Sequence, residues 1–184
     1  MFVEIYNVVD YRRKSEHGMS ISLRDITNEN WIECIFLTTN KEDKHFICEE
    51  FVASNALSLA QSKVQKGWIT KAIYNDETMV GFTMYGYCEQ HNFFEICRLM
   101  IDHKHQGKGY GKTALLQVIE EIRKDADCNE IFLSFAPKNI VAKKLYESIG
   151  FEDTGKMIEG ECLYKLLLKK VHNVNDEYKK MTDK

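Results

Sequence analysis

A stretch rich in glycine and lysine, HQGKGYGKTALL at residues 105–116, has the composition most suggestive of chemistry. Its glycines let backbone N–H groups converge on an anion. The apolar run that follows predicts a helix, and the positive N-terminal end of a helix attracts the same anion. Lys108 and Lys112 add mobile positive charge. The stretch therefore predicts a phosphate-binding loop.

Two common nucleotide-binding motifs do not fit this spacing. A Walker A loop needs a glycine five residues before its Gly-Lys-Thr, and Gln106 holds that position. The dinucleotide fingerprint fails because Gly107 and Gly109 would require a third glycine where Lys112 stands. These mismatches disfavour an NTP-dependent kinase. An ordinary glycine-rich turn between a strand and a helix stays open as an alternative.

The elements that position the loop follow from the hydrophobic pattern. The first half predicts a strand at 20–26, helices near 28–38 and 44–65, and two strands in WITKAIYNDETMVGFTMYGYC joined at Asn75-Asp76. FFEICRLMID predicts the strand before the loop. The second half first predicts a helix with one apolar face, formed by Leu115, Val118, Ile119 and Ile122. A strand in EIFLSFA follows, and then a short helix in NIVAKKLYESIG that ends at Gly150. The last predicted element is a strand in GECLYKLLL. This order indicates a mixed α/β sheet.

Composition and charge limit the class of protein. The 184 residues, of which 44% are hydrophobic, suit one domain with a buried core. A net charge of −3 argues against nucleic acid as the main partner. The six cysteines form no C-x-x-C pair and the histidines are not clustered, so we predict reduced thiols and no metal site.

The sequence also carries predictions about location and domain limits. No segment approaches the ~18 apolar residues of a membrane span, and the N-terminal residues lack the order of a secretory signal. We therefore predict a cytoplasmic protein without a membrane partner. Residues 1–18 are interpreted as an extension, 19–170 as the domain and 171–184 as a polar tail.

Two motifs together carry a family resemblance. The Q-x-x-G-x-G spacing of Gln106, Gly109 and Gly111, between a strand and a helix, resembles the acetyl-CoA pyrophosphate motif of GNAT N-acetyltransferases. NIVAKKLYESIGF, in which Asn139 precedes Tyr146 by seven residues, resembles that superfamily's late helix and following strand. The resemblance spans about residues 20–168. It implies the GNAT α/β fold, a mixed and mostly antiparallel sheet flanked by helices, whose two central parallel strands splay apart around the pantetheine arm of acetyl-CoA.

The resemblance also implies which residues contact the cosubstrate acetyl-CoA. The strand before the loop would pair its backbone with the pantetheine arm, and the loop and the late helix would hold the rest. The implied cofactor-binding residues are Leu99, Met100, Ile101, Gln106, Gly107, Lys108, Gly109, Tyr110, Gly111, Lys112 and Asn139.

Acetyl transfer to an amine needs two proton transfers: the amine must lose a proton, and the departing thiolate must gain one. Tyr146 is the candidate general acid, because a phenol pKa near ~10 lies close to the ~8.5 of a thiol. Glu95 is the candidate general base. Related polyamine acetyltransferases tend to carry an acidic residue two places further on, where this sequence has Cys97. Three alternatives therefore stay open for the base: Glu95 itself, a chain of waters, or an amine that arrives neutral.

Cys97 is disfavoured as a nucleophile, since no histidine base is evident near it in the sequence. We therefore expect a buried structural thiol at this position. The reaction would then proceed by direct attack of the amine in a ternary complex.

A narrower resemblance concerns the acceptor. ICEEFVASNALSLAQSKV and GFTMYG resemble bacterial spermine and spermidine acetyltransferases, which implies a polyamine substrate, with Glu50 and Asn55 as residues facing it. Packing of an amphipathic helix explains the same pattern. The early helices are rich in acidic residues, which suits a polycation or a solvated helix face: Glu29, Glu33, Glu42, Asp43, Glu49 and Glu50.

Other outcomes stay open at this point. The acceptor could be an amino acid, an aminoglycoside or a protein N-terminus, and the chain could be a noncatalytic module that binds acyl-CoA. The resemblance to this family also implies a homodimer.

Overall fold

The computed structural model of the chain describes residues 20–39, 54–125 and 127–168. The predicted extension at 1–18, the tail at 171–184 and residues 44–53 of the second predicted helix lie outside these ranges. The domain limits at residues 19 and 170 therefore stay predictions.

A mixed sheet forms the centre of the fold. Within the described ranges it has seven strands in the order β1-β2-β3-β4-β5-β7-β6. Every neighbouring pair is antiparallel except β4 and β5, which run parallel. The strands are β1 (Ile21–Asp25), β2 (Trp68–Asn75), β3 (Thr78–Cys88), β4 (Phe93–Ile101), β5 (Glu130–Phe135), β6 (Glu152–Ile158) and β7 (Glu161–Leu167).

Helices cover both faces of the sheet. They are α1 (Trp31–Ile35), α2 (Asn55–Val64), α3 (Tyr110–Ile122) and α4 (Ile140–Glu147), with a 3₁₀ turn at His103–His105 before the glycine loop. The predicted apolar face of α3 is confirmed, because Leu115, Val118, Ile119 and Ile122 are all buried. None of the helices in the described part of the chain is long and apolar enough to cross a membrane.

The central strands splay apart, as the resemblance implies. β4 and β5 are paired only at Phe94 with Ile131 and at Glu95 with Phe132. The register between β3 and β4 also shifts at Cys97, which pairs with no β3 residue and forms a bulge. Beyond Glu95 the two parallel strands diverge, and this divergence opens a groove in the sheet.

The predicted helix at 28–38 is wrong in its extent. Regular helix covers only Trp31–Ile35, and it ends in i to i−3 bonds such as the one from Phe36 N to Glu33 O (3.2 Å). The chain then turns away because Thr38 N donates to the buried Asp102 carboxylate at 3.2 Å, and Thr38 O accepts from His103 N at 2.8 Å. These tertiary bonds to the end of β4 override the helical pattern.

Candidate active site

A groove of about 2040 Å³ lies where β4 and β5 separate. Its walls come from β4, the glycine loop, α4 and the start of β7, together with residues of α2. The volume exceeds the roughly 300–1,000 Å³ of common small-molecule pockets. The groove can therefore hold an elongated ligand together with a second one.

The glycine loop presents backbone donors to this groove. Gly107 and Gly109 have φ angles of +78° and +81°, which side chains other than glycine rarely adopt. Gly109 is the N-cap residue of α3, and no side chain caps the helix there. The residues of the first turn line the groove, so the positive end of the helix dipole lies at the groove. Gln106 Nε2 donates to Ile101 O at 3.0 Å and fixes the loop to the end of β4.

Most of the predicted cofactor-binding residues line the groove. Lys108 is the exception: it is exposed, and its ammonium lies 5.9 Å from the centre of the Tyr110 ring. The ten that line the groove are Leu99, Met100, Ile101, Gln106, Gly107, Gly109, Tyr110, Gly111, Lys112 and Asn139.

Four of these residues have a specific hydrogen-bonding role. Leu99, Met100 and Ile101 lie on β4 beyond its last pair with β5, so their β5-facing edge can bond an extended ligand as an added strand would. Asn139 caps α4, where its Oδ1 accepts from Ala142 N at 3.1 Å. That cap uses only the oxygen of the Asn139 amide.

Tyr146, the predicted general acid, lies on α4 and lines the groove. Its ring packs against Phe135 and Phe151 at centroid distances of 5.4 and 5.9 Å. Burial, reinforced by the nearby charge of Glu161, raises the pKa of Tyr146 to about 12. The phenol is therefore protonated at neutral pH and can donate its proton.

Glu95, the predicted general base, is buried on β4 with 8% of its surface exposed, and it lines the groove. Its Oε2 lies 3.1 Å from Nδ1 of His91, a residue four positions earlier, on the turn between β3 and β4. This contact holds the carboxylate in one orientation. Sequence reasoning did not single out His91.

Cys97 lies two residues further along β4 and also lines the groove. Burial raises the pKa of its thiol to about 12, and Nη1 of Arg98 donates to its Sγ at 3.1 Å. A thiol that stays protonated is a poor nucleophile. The geometry thus agrees with the expectation of a structural cysteine.

Comparison with known proteins identifies the family. Residues 22–151 match the Acetyltransferase (GNAT) family. The chain belongs to this family. It is 29% identical over 145 residues to the spermine/spermidine N(1)-acetyltransferase of Bacillus subtilis, and the alignment covers 76% of this chain and 92% of that protein.

Two solved structures show the same fold at low sequence identity. A spermidine N-acetyltransferase from Vibrio cholerae, in complex with CoA and spermine, has a TM-score of 0.65 at 20% identity, over 83% of this chain and 98% of that one. An aminoglycoside acetyltransferase in complex with coenzyme A has a TM-score of 0.67 at 16% identity, over 80% and 95%. The predicted class, an acetyl-CoA-dependent N-acetyltransferase of the GNAT fold, is confirmed.

The predicted substrate-facing residues that the structure describes do not line the groove of this acetyltransferase. Asn55 is buried, and its Nδ2 donates to Cys34 O at 2.8 Å, so it joins α2 to α1 and does not line the groove. The structure thus gives Asn55 a packing role, and its contact with the substrate stays a prediction. Glu29 and Glu33 are exposed and also lie away from the groove. Glu50, with Glu42, Asp43 and Glu49, lies outside the described residues.

The acidic residues of the described groove come from elsewhere. We call Glu89, Glu95, Glu159 and Glu161 the groove glutamates. Two belong to the turn and strand at the start of β4, and two to the turn and strand at the start of β7. Ser134 Oγ donates to Oε2 of Glu161 at 2.6 Å. The sequence predicted β4 and β7 but not β6, and only the sheet order places the two turns along one groove.

Proposed function

We propose that this acetyltransferase transfers the acetyl group of acetyl-CoA to a primary amine of a polyamine such as spermidine or spermine. The observation that carries the proposal is the composition of the groove, which combines an anion-binding loop with the groove glutamates. A polyamine bears several positive charges along a flexible chain, and carboxylates lining a concave site attract such a ligand. The similarity to a Bacillus polyamine acetyltransferase supports the same acceptor.

Acetyl-CoA is held by backbone groups in this proposal. The N–H groups at the start of α3 and the ammonium of Lys112 bind the pyrophosphate. The β4 edge at Leu99, Met100 and Ile101 pairs with the amides of the pantetheine arm, in the way that a strand pairs with an extended peptide. The thioester then lies in the gap between β4 and β5, beside Tyr146.

The proposed reaction is one displacement with two proton transfers. Glu95 takes a proton from the ammonium of the acceptor, directly or through a water, and the amine nitrogen attacks the thioester carbonyl. The bond from the acetyl carbon to sulfur breaks as the bond to nitrogen forms. Tyr146 gives its proton to the departing thiolate. No acyl-enzyme forms, because the protonated thiol of Cys97 does not attack.

A panel of amines tests the proposed acceptor. Full-length protein is incubated with acetyl-CoA and spermidine, spermine, amino acids, aminoglycosides or peptides, and free thiol is measured. We expect the highest kcat/KM with a polyamine. A higher value with an aminoglycoside, which is also polycationic, would assign the groove glutamates to that class of acceptor. Release of thiol without any amine dependence would contradict transfer altogether.

A matched pair of glutamate variants tests the proposed base. Glu95→Gln keeps the shape of the side chain but cannot accept a proton, so turnover should fall by about 10²- to 10⁴-fold. Glu89→Gln, on the neighbouring turn, should raise KM for the amine and leave kcat near the parent value. If Glu95→Gln keeps its turnover, a chain of waters or a neutral amine replaces Glu95 in the mechanism.

We further propose, from the family resemblance, a homodimer in the cytoplasm. Light scattering of the purified full chain should give twice the monomer mass of 21.5 kDa. Cell fractionation should recover the activity with cytoplasmic markers. A monomeric mass or recovery with membranes would contradict the respective proposal.

A further inference from the structure

Three metal-ligating side chains meet beside the turn that joins β3 to β4. The ligand atoms of Cys88, His91 and Glu95 all lie within 4.8 Å of one another. The turn itself brings them together: Asn92 N donates to Cys88 O at 2.8 Å, and Asn92 has a φ of +60° that closes the hairpin. We call these three residues the Cys88 cluster.

We propose that the Cys88 cluster is a binding site for Zn²⁺ on the wall of the acetyl-transfer groove. A thiolate, an imidazole and a carboxylate are the three ligand types that zinc takes in proteins. The two negative charges of the bound ligands neutralise the dication. A tetrahedral ion with three protein ligands keeps one position open, and all three ligand residues line the groove.

The spacing of the ligands is close to what the ion requires. Bond lengths of about 2.0–2.3 Å place two ligands of one tetrahedral zinc roughly 3.3–3.6 Å apart. Nδ1 of His91 and Oε2 of Glu95 are 3.1 Å apart without an ion. No separation in the cluster exceeds 4.8 Å, so the ligand atoms have to approach by at most about 1.5 Å, which rotation of a side chain on a turn provides.

The surroundings favour retention of an ion and still allow entry. Cys88 and Glu95 have 6% and 8% of their surface exposed, so an ion here is shielded from bulk water. All three ligands line the groove, which gives the ion a path from solvent. The His91 ring lies 5.2 Å from the Phe93 ring, and this contact limits the orientations of the imidazole.

Zinc in the Cys88 cluster would inhibit acetyl transfer. On binding, the Cys88 thiol releases its proton to the buffer and forms a bond from sulfur to zinc, and Glu95 becomes a ligand. Glu95 is then unable to accept a proton from the amine. This consequence rests on the proposed function, whereas the binding of the ion does not.

Cobalt spectroscopy on the chelator-treated full-length chain tests the site directly. We expect one equivalent of Co²⁺ to produce a thiolate-to-cobalt charge-transfer band, and one equivalent of Zn²⁺ to abolish it. Cys88→Ala should remove the band and weaken zinc binding by about 10²-fold or more, measured by competition with a chromophoric chelator. Cys128→Ala is the matched control, since Cys128 is a comparably buried thiol outside the cluster, and it should behave like the parent.

Several outcomes would overturn the site. They are a parent protein without the band, a Cys88→Ala variant that retains it, or a band that only Cys97→Ala removes. Circular dichroism checks that each variant is folded. If Cys88→Ala does not fold, Cys88→Ser and Glu95→Gln serve instead, and unchanged zinc affinity in both would equally overturn the proposal.

An activity titration separates this inference from the proposed function. Zinc should inhibit the parent and Cys128→Ala and spare Cys88→Ala, with each activity compared with that of the same protein without zinc. Tight zinc binding without inhibition would uphold the site and contradict the role of Glu95. Undiminished acetyl transfer by a parent that binds no zinc would overturn the site and leave the proposed function standing.

Discussion

In the proposed function, the glycine loop and the groove glutamates recognise opposite charges by different means. The loop uses backbone N–H groups of one continuous segment, residues 106–112, whose geometry is set by Gly107 and Gly109. The groove glutamates use side chains from two hairpins that lie far apart in the sequence, at Glu89 and Glu95 and at Glu159 and Glu161. Recognition by backbone is thus encoded in local spacing, whereas recognition by side chains depends on the order of the strands.

The two regions also differ in how they respond to substitution. A change within the loop alters a conformation that only glycine adopts easily, so its effect should be confined to acetyl-CoA. A substitution at one glutamate removes one of the four negative charges that are proposed to attract the acceptor amine. Loss of one glutamate charge should therefore weaken amine binding less than a loop substitution weakens acetyl-CoA binding. The size of the effect should depend on the charge of the amine tested.

The largest effect on turnover is expected at Tyr146, the proposed proton donor to the departing thiolate. Tyr146→Phe removes the proton donor but keeps the ring that packs against Phe135 and Phe151. Turnover should fall by about 10²- to 10⁴-fold, with little change in acetyl-CoA affinity. Steady-state kinetics and calorimetry measure the two quantities. Unchanged turnover would remove Tyr146 from the proposed mechanism.

The loop is tested by Gly109→Val. A φ of +81° costs a non-glycine residue about 1–3 kcal/mol, and a side chain at this position blocks approach of the pyrophosphate, so the Kd for coenzyme A should rise roughly 10- to 100-fold. Gly155→Val is the control, because Gly155 has a similar φ of +70° but lies away from the groove. Equal coenzyme A affinity in the parent and Gly109→Val would discredit the phosphate-binding loop.

The acidic region is tested by Glu161→Gln, which can still accept the hydrogen bond from Ser134. Loss of one partly buried carboxylate should raise KM for spermidine about 5-fold and affect a monoamine less. Glu152→Gln, exposed on β6 and outside the groove, should leave KM unchanged. Similar changes for spermidine and a monoamine would argue against recognition of a polycation by this wall.

The smallest effect concerns stability at alkaline pH. The pKa of Tyr146 is raised to about 12 in the folded protein, above its ordinary value near 10 in an unfolded chain. The folded state therefore holds this proton more tightly, and the resulting stability is present below pH ~10 and is lost between about 10 and 12. Chemical denaturation across this window should show a smaller loss of unfolding free energy in Tyr146→Phe than in the parent. Parallel curves would contradict the raised pKa.

Elements with strong local signals were predicted well. The apolar face of α3, the strand in FFEICRLMID and the turn at Asn75-Asp76 appear as expected, because periodicity and turn residues act within a few positions of the chain. The helix at 28–38 was overextended, since bonds from Thr38 to Asp102 and His103 act across a long separation in sequence. A single sequence does not display such bonds.

The same contrast holds within the candidate site. The loop and Tyr146 are recognisable from residue types at fixed spacing, and the structure places them in one groove. The sequence did not reveal that the Asn55 side chain satisfies a buried carbonyl of α1. The proximity of Cys88, His91 and Glu95 was not predicted either, because a four-residue turn folds them together without a recognised metal-binding spacing.

The sequence by itself determined the class of fold and the enzyme family, and it predicts the acetyl-CoA loop, because each depends on glycines, turns and apolar periods within short segments. The tertiary structure decided which carboxylates line the groove and that His91 contacts Glu95. The physical reason is the separation of β4 from β5 beyond Glu95, with β7 as the next strand. That arrangement brings distant hairpins to one groove, and no local pattern encodes it.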